Sequence, residues 1–500
     1  MTFSKLSRHD VGKTITVLAR VEHIHQTAGP TLFKLYDGTA HFIAKAFLNP
    51  GERAYPKIEK EMVVEAVLRI QEYEGKLEGS ISSMAYKDAA LFEQHLEKLR
   101  DALVNVESIP FLVKHEIIEK LRGRIEQAAL LIKKAIYDNR QILLRHNADC
   151  DGYCGAIAIE RAVLKLLYAH HNDEYAQWKF YKRLPSKAPF YSVSDGFIDA
   201  SSVANDAAKN GNAPLLIIVD NGSGEEDLLS IKNMRLYGCQ VIVVDHHFIK
   251  KDVVSEHVDV HINPYLVGGN SQLCAGMLSV ELSRFVSTEN VSYLAAVAGT
   301  GDKVRSEEMD QYVAIAEQEG YPLDFIKKLA LCIDYVAYYT RVEGRAYFDD
   351  LLGRDRERQK QMLSLLYADA WNKMQNALEA AKHYVTLEEQ DGKTVAVLDL
   401  SSVSLVGEFP AFGKTTGLVS DWLNKSHERV YVLGLAKDMI VLRVSKGEIF
   451  NLNEIVSALK EKMPYALISG GGHERAGTIK FVAAAKDEVV EFVKGQIHRS

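Results

Sequence analysis

Three uniformly apolar runs in this chain each end on an acidic motif, and that pairing constrains the fold more than any other feature. Ile142-Leu143-Leu144 leads into His146-Asn147-Ala148-Asp149-Cys150-Asp151-Gly152. Residues 215–219 lead into Asp220-Asn221-Gly222, and residues 241–244 into Asp245-His246-His247. Gly301-Asp302 follows downstream. Apolar runs without alternation read as strands covered on both faces, the habit of parallel sheets. Helical stretches between them, such as 156–167, complete βαβ units. In such sheets functional groups gather beyond the carboxyl ends of the strands. One Asp there is commonly a turn residue or a helix cap. Four in order, with an Asp-His-His among them, point to a site for two divalent ions acting on a phosphoester. Asp149 and Asp151, two apart around Gly152, are spaced for two carboxylates to converge where a helix begins.

The rest of the chain implies further domains, since 500 residues exceed one core. Residues 12–88 read as five short strands with a turn at Asp37-Gly38, which suggests a small barrel. Phe33, Tyr36, Phe42 and Phe47 are its candidate stacking faces, and Arg20, Lys34 and Lys45 its phosphate contacts. Leu121, Ile125, Ala128, Ile132 and Ile136 form one apolar helical stripe. Residues 306–385 are helical and charged and read as a linker or lid. A last αβ unit has strands over 394–400, 430–435 and 440–444, another near 478–482, and a helix after Asp487. Lys182, Arg183 and Lys187 form a local basic cluster that either lines a strand channel or is solvated. The net charge of −7 excludes a global basic surface, so any nucleic-acid contact is a local patch. The five cysteines show no CxxC spacing and fit reduced thiols. No signal layout and no apolar run near the roughly 18 residues of a membrane span is present, which implies a cytoplasmic protein without membrane contact.

Asp245-His246-His247, together with Ser469-Gly470-Gly471-Gly472-His473-Glu474-Arg475-Ala476-Gly477, resembles the DHH phosphoesterase superfamily, in particular archaeal relatives of the single-strand exonuclease RecJ. The resemblance runs from about residue 12 to about residue 485. It implies an α/β protein: a parallel-sheet DHH domain, a smaller α/β DHH-associated domain and an N-terminal all-β OB-like barrel. The expected divisions are 1–88 for the barrel, 89–140 for a helical linker, 141–305 for the DHH domain, 306–385 for a helical connector and 386–500 for the DHH-associated domain.

By the same resemblance, Asp149, Asp151, Asp220, His246 and Asp302 are metal ligands. Asp245 orients an imidazole, and His247 contacts the scissile phosphate, with a ligand role as the alternative. Family members commonly carry a His shortly before the first Asp. Arg145, His146 and Asn147 occupy those positions here, leaving His146 or Asn147 as the alternative donor. The implied cofactors are two divalent ions, Mn²⁺ before Mg²⁺. Substrate contacts fall on His247, Arg443, Ser445, Gly470, Gly471, Gly472 and His473. Lys414-Thr415-Thr416-Gly417 matches the archaeal second-lobe pattern and lacks the upstream glycine of a P-loop. The expected activity is exonucleolytic hydrolysis of single-stranded DNA or RNA by a two-metal hydrolase of DNA repair or replication. The alternatives are a phosphodiesterase for oligoribonucleotides, phosphoadenosine phosphate or cyclic dinucleotides, and a replication-fork scaffold that binds GINS. Expected partners are single-stranded nucleic acid and GINS or other replication and repair proteins.

Overall fold

The computed structural model describes residues 2–499 apart from 187, 211, 250, 341–344, 391, 406, 446, 449 and 474. Strands β1 (Thr14–Gln26), β2 (Thr31–Tyr36), β3 (His41–Ala46), β4 (Val63–Tyr73) and β5 (Lys76–Lys87) close into a barrel of order β1-β2-β3-β5-β4. Alternation fills its interior: in β1 the buried residues Ile15, Val17, Ala19 and Val21 recur every second position. Helices α1 (Ala89–Val104) and α2 (Glu116–Tyr137) follow. The stripe Leu121, Ile125, Ala128, Ile132, Ile136 on α2 is fully buried against the central core.

That core surrounds a parallel sheet of order β10-β9-β8-β6-β7. Its elements in chain order are β6 (Ile142–His146), α3 (Cys150–His171), α4 (Gln177–Phe180), β7 (Tyr181–Pro185), α5 (Val193–Asn210), β8 (Leu215–Val219), α6 (Glu225–Leu236), β9 (Gln240–Val244), β10 (Val260–Ile262), α7 (Ala275–Val286) and α8 (Tyr293–Gly301). Every residue of β6 and β8 is buried. Ile142, Leu144, Ile217 and Val219 face α2, α3, α7 and α8, while Leu143, Leu216 and Ile218 face the opposite way into a second core that includes Ala200 and Val203 of α5 and Ile231 and Met234 of α6. The chain steps from β6 outward to β7, then back across to β8. The reversal of strand order therefore falls between β6 and β8, where α/β sheets open a crevice.

The segment expected as a connector divides in two. Helices α9 (Glu307–Gln318), α10 (Leu323–Tyr339) and α11 (Arg345–Leu351) place Tyr312, Ile326, Leu329, Ile333 and Phe348 in the same core as α3. Only α12 (Arg356–Tyr384) leaves it: Leu363 sits in that core and Ala381 in the next lobe. The second lobe holds β11 (Thr386–Gln390), β12 (Lys393–Asp399), α13 (Leu400–Val403), α14 (Phe412–Leu423), β13 (Val430–Leu435), β14 (Met439–Val444), α15 (Leu452–Lys462), β15 (Ser469–His473), β16 (Ala476–Lys480) and α16 (Lys486–Arg499). Its sheet order is β11-β12-β13-β14-β16-β15. Among the described residues no helix is long and apolar enough to cross a membrane.

Candidate metal centre

The strand ladder sets the acidic motifs side by side. His146, Val219, Val244 and Ile262 are register partners across the parallel sheet. The next residue on each strand extends the row: Asn147 N–H donates to Val219 O, Asp220 N–H to Val244 O and Asp245 N–H to Ile262 O. Asp220 holds a left-handed backbone, φ +58°, which turns its side chain out of the strand path. Asp149 caps α3, accepting Gly152 N–H at 3.0 Å, and Asn147 Nδ2 donates to its other oxygen at 2.6 Å. Asp151, in the first turn of α3, accepts Ala275 N–H at 2.9 Å and Gly276 N–H at 2.8 Å from the start of α7.

Two groups of potential metal donors result among the described residues: Asp220, His246 and His247, and Asp151, His246 and Asp302. They meet at His246, whose Nε2 lies 3.4 Å from Asp220, 3.7 Å from Asp151 and 3.2 Å from Asp302. Its Nδ1 lies 3.1 Å from Ser271 O; a proton donated there leaves the Nε2 lone pair for a cation. Burial, with the neighbouring Asp149 and Asp151, drives the Asp220 carboxyl well above the ordinary carboxylate range. Asp149 is held up to about 6 by burial and by Asp302 and Asp334, and Asp302 up to about 6 by burial and Asp151. Asp220 Oδ2 is buried with no hydrogen-bond partner. Crowded carboxylates with an unpartnered oxygen form a donor set that fits divalent cations.

His247 stands apart chemically. Burial opposes its charge, but Asp245 at 2.7 Å overcomes that and raises the imidazole to about 9. Burial would raise Asp245, yet His247 and His246 carry it well below the usual carboxylate value. Both shifts favour the charged form of each partner.

None of the three positions before Asp149 joins either group. Arg145 turns to the opposite sheet face and binds Asp199 twice at 2.7 Å. His146 is buried, its Nδ1 2.6 Å from Asn147 O and its ring 4.5 Å from Tyr153; burial and Arg183 hold it down to about 3. Asn147 lines the cleft and ties down Asp149 through its amide. The basic cluster also separates: Arg183 is buried against Glu160 at 2.8 Å, Lys182 donates to Ser202, and Lys187 lies outside the described residues.

A cleft of about 1680 Å³ runs from Asn147, Asp149 and Asp302 to the second lobe, where Lys414, Arg443, Ser445 and Arg475 line it. Arg443 is half-buried, donates among the described residues to the carbonyls of Leu442 and Gly413, and is held down to about 10 by burial. Ser445 Oγ accepts Val430 N–H, a structural role at the sheet end. Gly470, Gly471 and Gly472 form the edge strand β15, where the glycine run was expected to cradle a phosphate. With φ +147° at Gly470, a Cβ there would lie 2.1 Å from Thr478 O; at Gly472 it would lie 2.4 Å from Ala476 O. Close strand pairing alone therefore demands glycine here. His473 has its backbone in β15; its side chain lies outside the described residues.

In the barrel, Phe33, Tyr36 and Phe42 are buried, Arg20 is taken by Glu22, and Phe47 is 65% exposed. Tyr73, at 56% exposure, adds a ring that sequence reasoning passed over, with Lys45 Nζ 4.2 Å above it. Asp334 was also missed. Its Oδ1 accepts Cys150 N–H at 2.9 Å, at the first residue of α3. A lone carboxylate inside the apolar stretch Leu331-Cys332-Ile333 and Tyr335 was the available signal.

Comparison with known proteins gives a consistent picture. The family described as "DHH family, N-terminal domain" matches residues 141–300. An uncharacterized protein of Methanocaldococcus jannaschii is 34% identical over 515 residues, covering 96% of this chain and 68% of its own. A solved DHH-domain structure, described as a member of the S1p family of ribosomal proteins, is 33% identical with a TM-score of 0.78, over 82% of this chain and 98% of that one. RecJ from Thermus thermophilus, in complex with Mn²⁺, is 16% identical with a TM-score of 0.53, over 82% of this chain and 58% of that one; it shares the fold.

Proposed function

The chain belongs to the DHH family as a RecJ-like phosphoesterase, and we propose that it is an exonuclease that hydrolyses single-stranded DNA or RNA from an end with two divalent ions. The observation that carries this reading is the pair of donor groups meeting at His246, beside the buried and unpartnered Asp220 Oδ2. Asp149, Asp151, Asp220, His246 and Asp302 would hold the ions. Asp220 has two oxygens and can serve both ions, whereas the single Nε2 lone pair of His246 can serve one. Mn²⁺, the ion bound in the RecJ of similar fold, suits this mixed oxygen and nitrogen set; Mg²⁺ is the alternative. Such ions neutralise charge at phosphorus and activate water.

The remaining groups act on the strand. The Asp245 carboxylate favours a charged His247 imidazole, which suits it to grip a phosphate oxygen, and its place in one donor group makes a ligand role the alternative. Arg443, with no carboxylate at ion-pair distance among the described residues, offers a seat for the anionic chain end. The exposed Phe47 and Tyr73 offer stacking further along the strand, while Lys45 is taken by Glu78 at 2.6 Å. A cleft between lobes favours a single strand over a duplex. Digestion of end-labelled single-stranded DNA and RNA with Mn²⁺ tests this. Mononucleotide release from one end, stopped by chelation, is expected; release of internal fragments, or none from either polymer, would refute it.

A further inference from the structure

A lysine of the second lobe reaches the metal centre. Lys414, in the first turn of α14, binds Asp334 Oδ2 on α10. The other oxygen of Asp334 accepts Cys150 N–H, immediately after Asp149. Asp334 is close enough to Asp149 and Asp302 to raise both carboxyls. Around this contact the segment before α14 is seated on the same face of α10. The Phe409 ring packs edge-on against Tyr335 at 5.2 Å and Tyr338 at 6.0 Å. Its N–H donates to Tyr339 Oη, which donates in turn to Glu408 at 2.9 Å. Glu408 also takes Lys373 at 2.7 Å. Helix α10 cannot follow the second lobe if that lobe moves, because Ile326, Leu329, Ile333 and Val336 fix it in the core with α3. The Lys414–Asp334 contact is therefore where lobe position meets the metal centre. A second crossing pair, Lys303–Asp421 at 2.7 Å, follows directly on Asp302, but both its side chains are mostly exposed, so it is weak alone.

We propose that Lys414 is a positioning residue that reports lobe closure to the metal centre through Asp334. With Lys414 in place, the charge of Asp334 is shared and the start of α3 is held. With Lys414 withdrawn, Asp334 adds an uncompensated negative charge beside Asp149 and Asp302. Closed lobes thus bind cations less tightly but align the centre with the strand, and open lobes do the reverse. A phosphate entering the cleft offers Lys414 a competing anion within the same lining. This inference rests on the two-ion reading above.

The test is a calorimetric titration of Mn²⁺ into the full chain, without substrate, alongside kcat and KM on a single-stranded oligonucleotide. Lys414→Ala should tighten Mn²⁺ binding by about threefold or more while lowering kcat, because a unit charge is uncovered a few ångströms away. Asp334→Asn should weaken Mn²⁺ binding, since its amide oxygen still accepts Cys150 N–H but the charge is gone. Lys414→Arg should keep Mn²⁺ affinity near the parent value. Shifts of the two variants in the same direction, or no shift in either, would overturn the proposal, because a merely structural pair predicts no opposition of sign. A parent chain that binds no Mn²⁺ would instead overturn the two-ion reading beneath it.

Discussion

Asp220 joins backbone strain to charge. Its φ of +58° is a conformation non-glycine residues seldom adopt, Asn and Asp being the more tolerant, and such outliers collect at functional sites. Asp220→Asn keeps that tolerance and the side-chain shape while removing the charge that would bridge two ions. Hydrolysis should fall by at least about a thousandfold with an unchanged circular dichroism spectrum, since bound cations would be the source of activated water. Activity within tenfold of the parent would remove Asp220 from the centre. The carboxyls of Asp149 and Asp302, both held up to about 6, with that of Asp220, driven well above the ordinary range, would set the pH dependence of cation binding. Cations need the ionised form, so at Asp149 and Asp302 protons compete below about 6. Mn²⁺ affinity should be flat at alkaline pH and fall by about tenfold per unit for each proton displaced as pH drops through about 6. Titrations in buffers of different ionisation enthalpy measure that proton release. The acidic motifs were legible because each follows an apolar run. His146 was not, because only the alternation of β6, fixed by its pairing with β7 and β8, sends its ring under α3.

Elements with a clean period were read almost to the residue: β8 over 215–219, β13 over 430–435 and β14 over 440–444 match the structure. Those without one were missed. β7, the edge strand Tyr181–Pro185, carries Lys182 and Arg183 and looks like a basic patch until Glu160 takes Arg183 into the interior. β15 is nearly all glycine, with no side-chain period to read, and only close pairing with β16 reveals a strand. In the barrel the period identified the strands but could not tell the inward aromatics from the outward ones. The outward pair gives a prediction at this scale. Phe47→Ala and Tyr73→Ala should each weaken binding of a long oligonucleotide by about 1–3 kcal/mol per stacked base lost, and leave cleavage of a dinucleotide unchanged. Fluorescence anisotropy on the long strand, with turnover on the dinucleotide, separates the two. Equal losses on both substrates would make the barrel part of the catalytic apparatus.

Across the whole molecule, a barrel, a core and a second lobe are joined at defined seams. The barrel is joined to the core where the His41 ring stacks on His171 at 4.7 Å. There His41 Nδ1 meets the His170 carbonyl at 3.0 Å, and His170 Nδ1 meets the Thr39 carbonyl at 3.1 Å. Burial keeps these rings neutral, His41 down to about 3 and His170 to about 4, so the seam holds across the working pH range. α12 carries the second lobe, and the cleft opens at the switch point of the parallel sheet. The proposed function requires one centre with two cations, and counting those cations tests it most directly. Titration of Mn²⁺ into the chain at neutral pH should give two ions bound per molecule, both weakened in Asp220→Asn and only one weakened in Asp302→Asn. A single ion in the parent, or two that Asp220→Asn leaves untouched, would contradict the account.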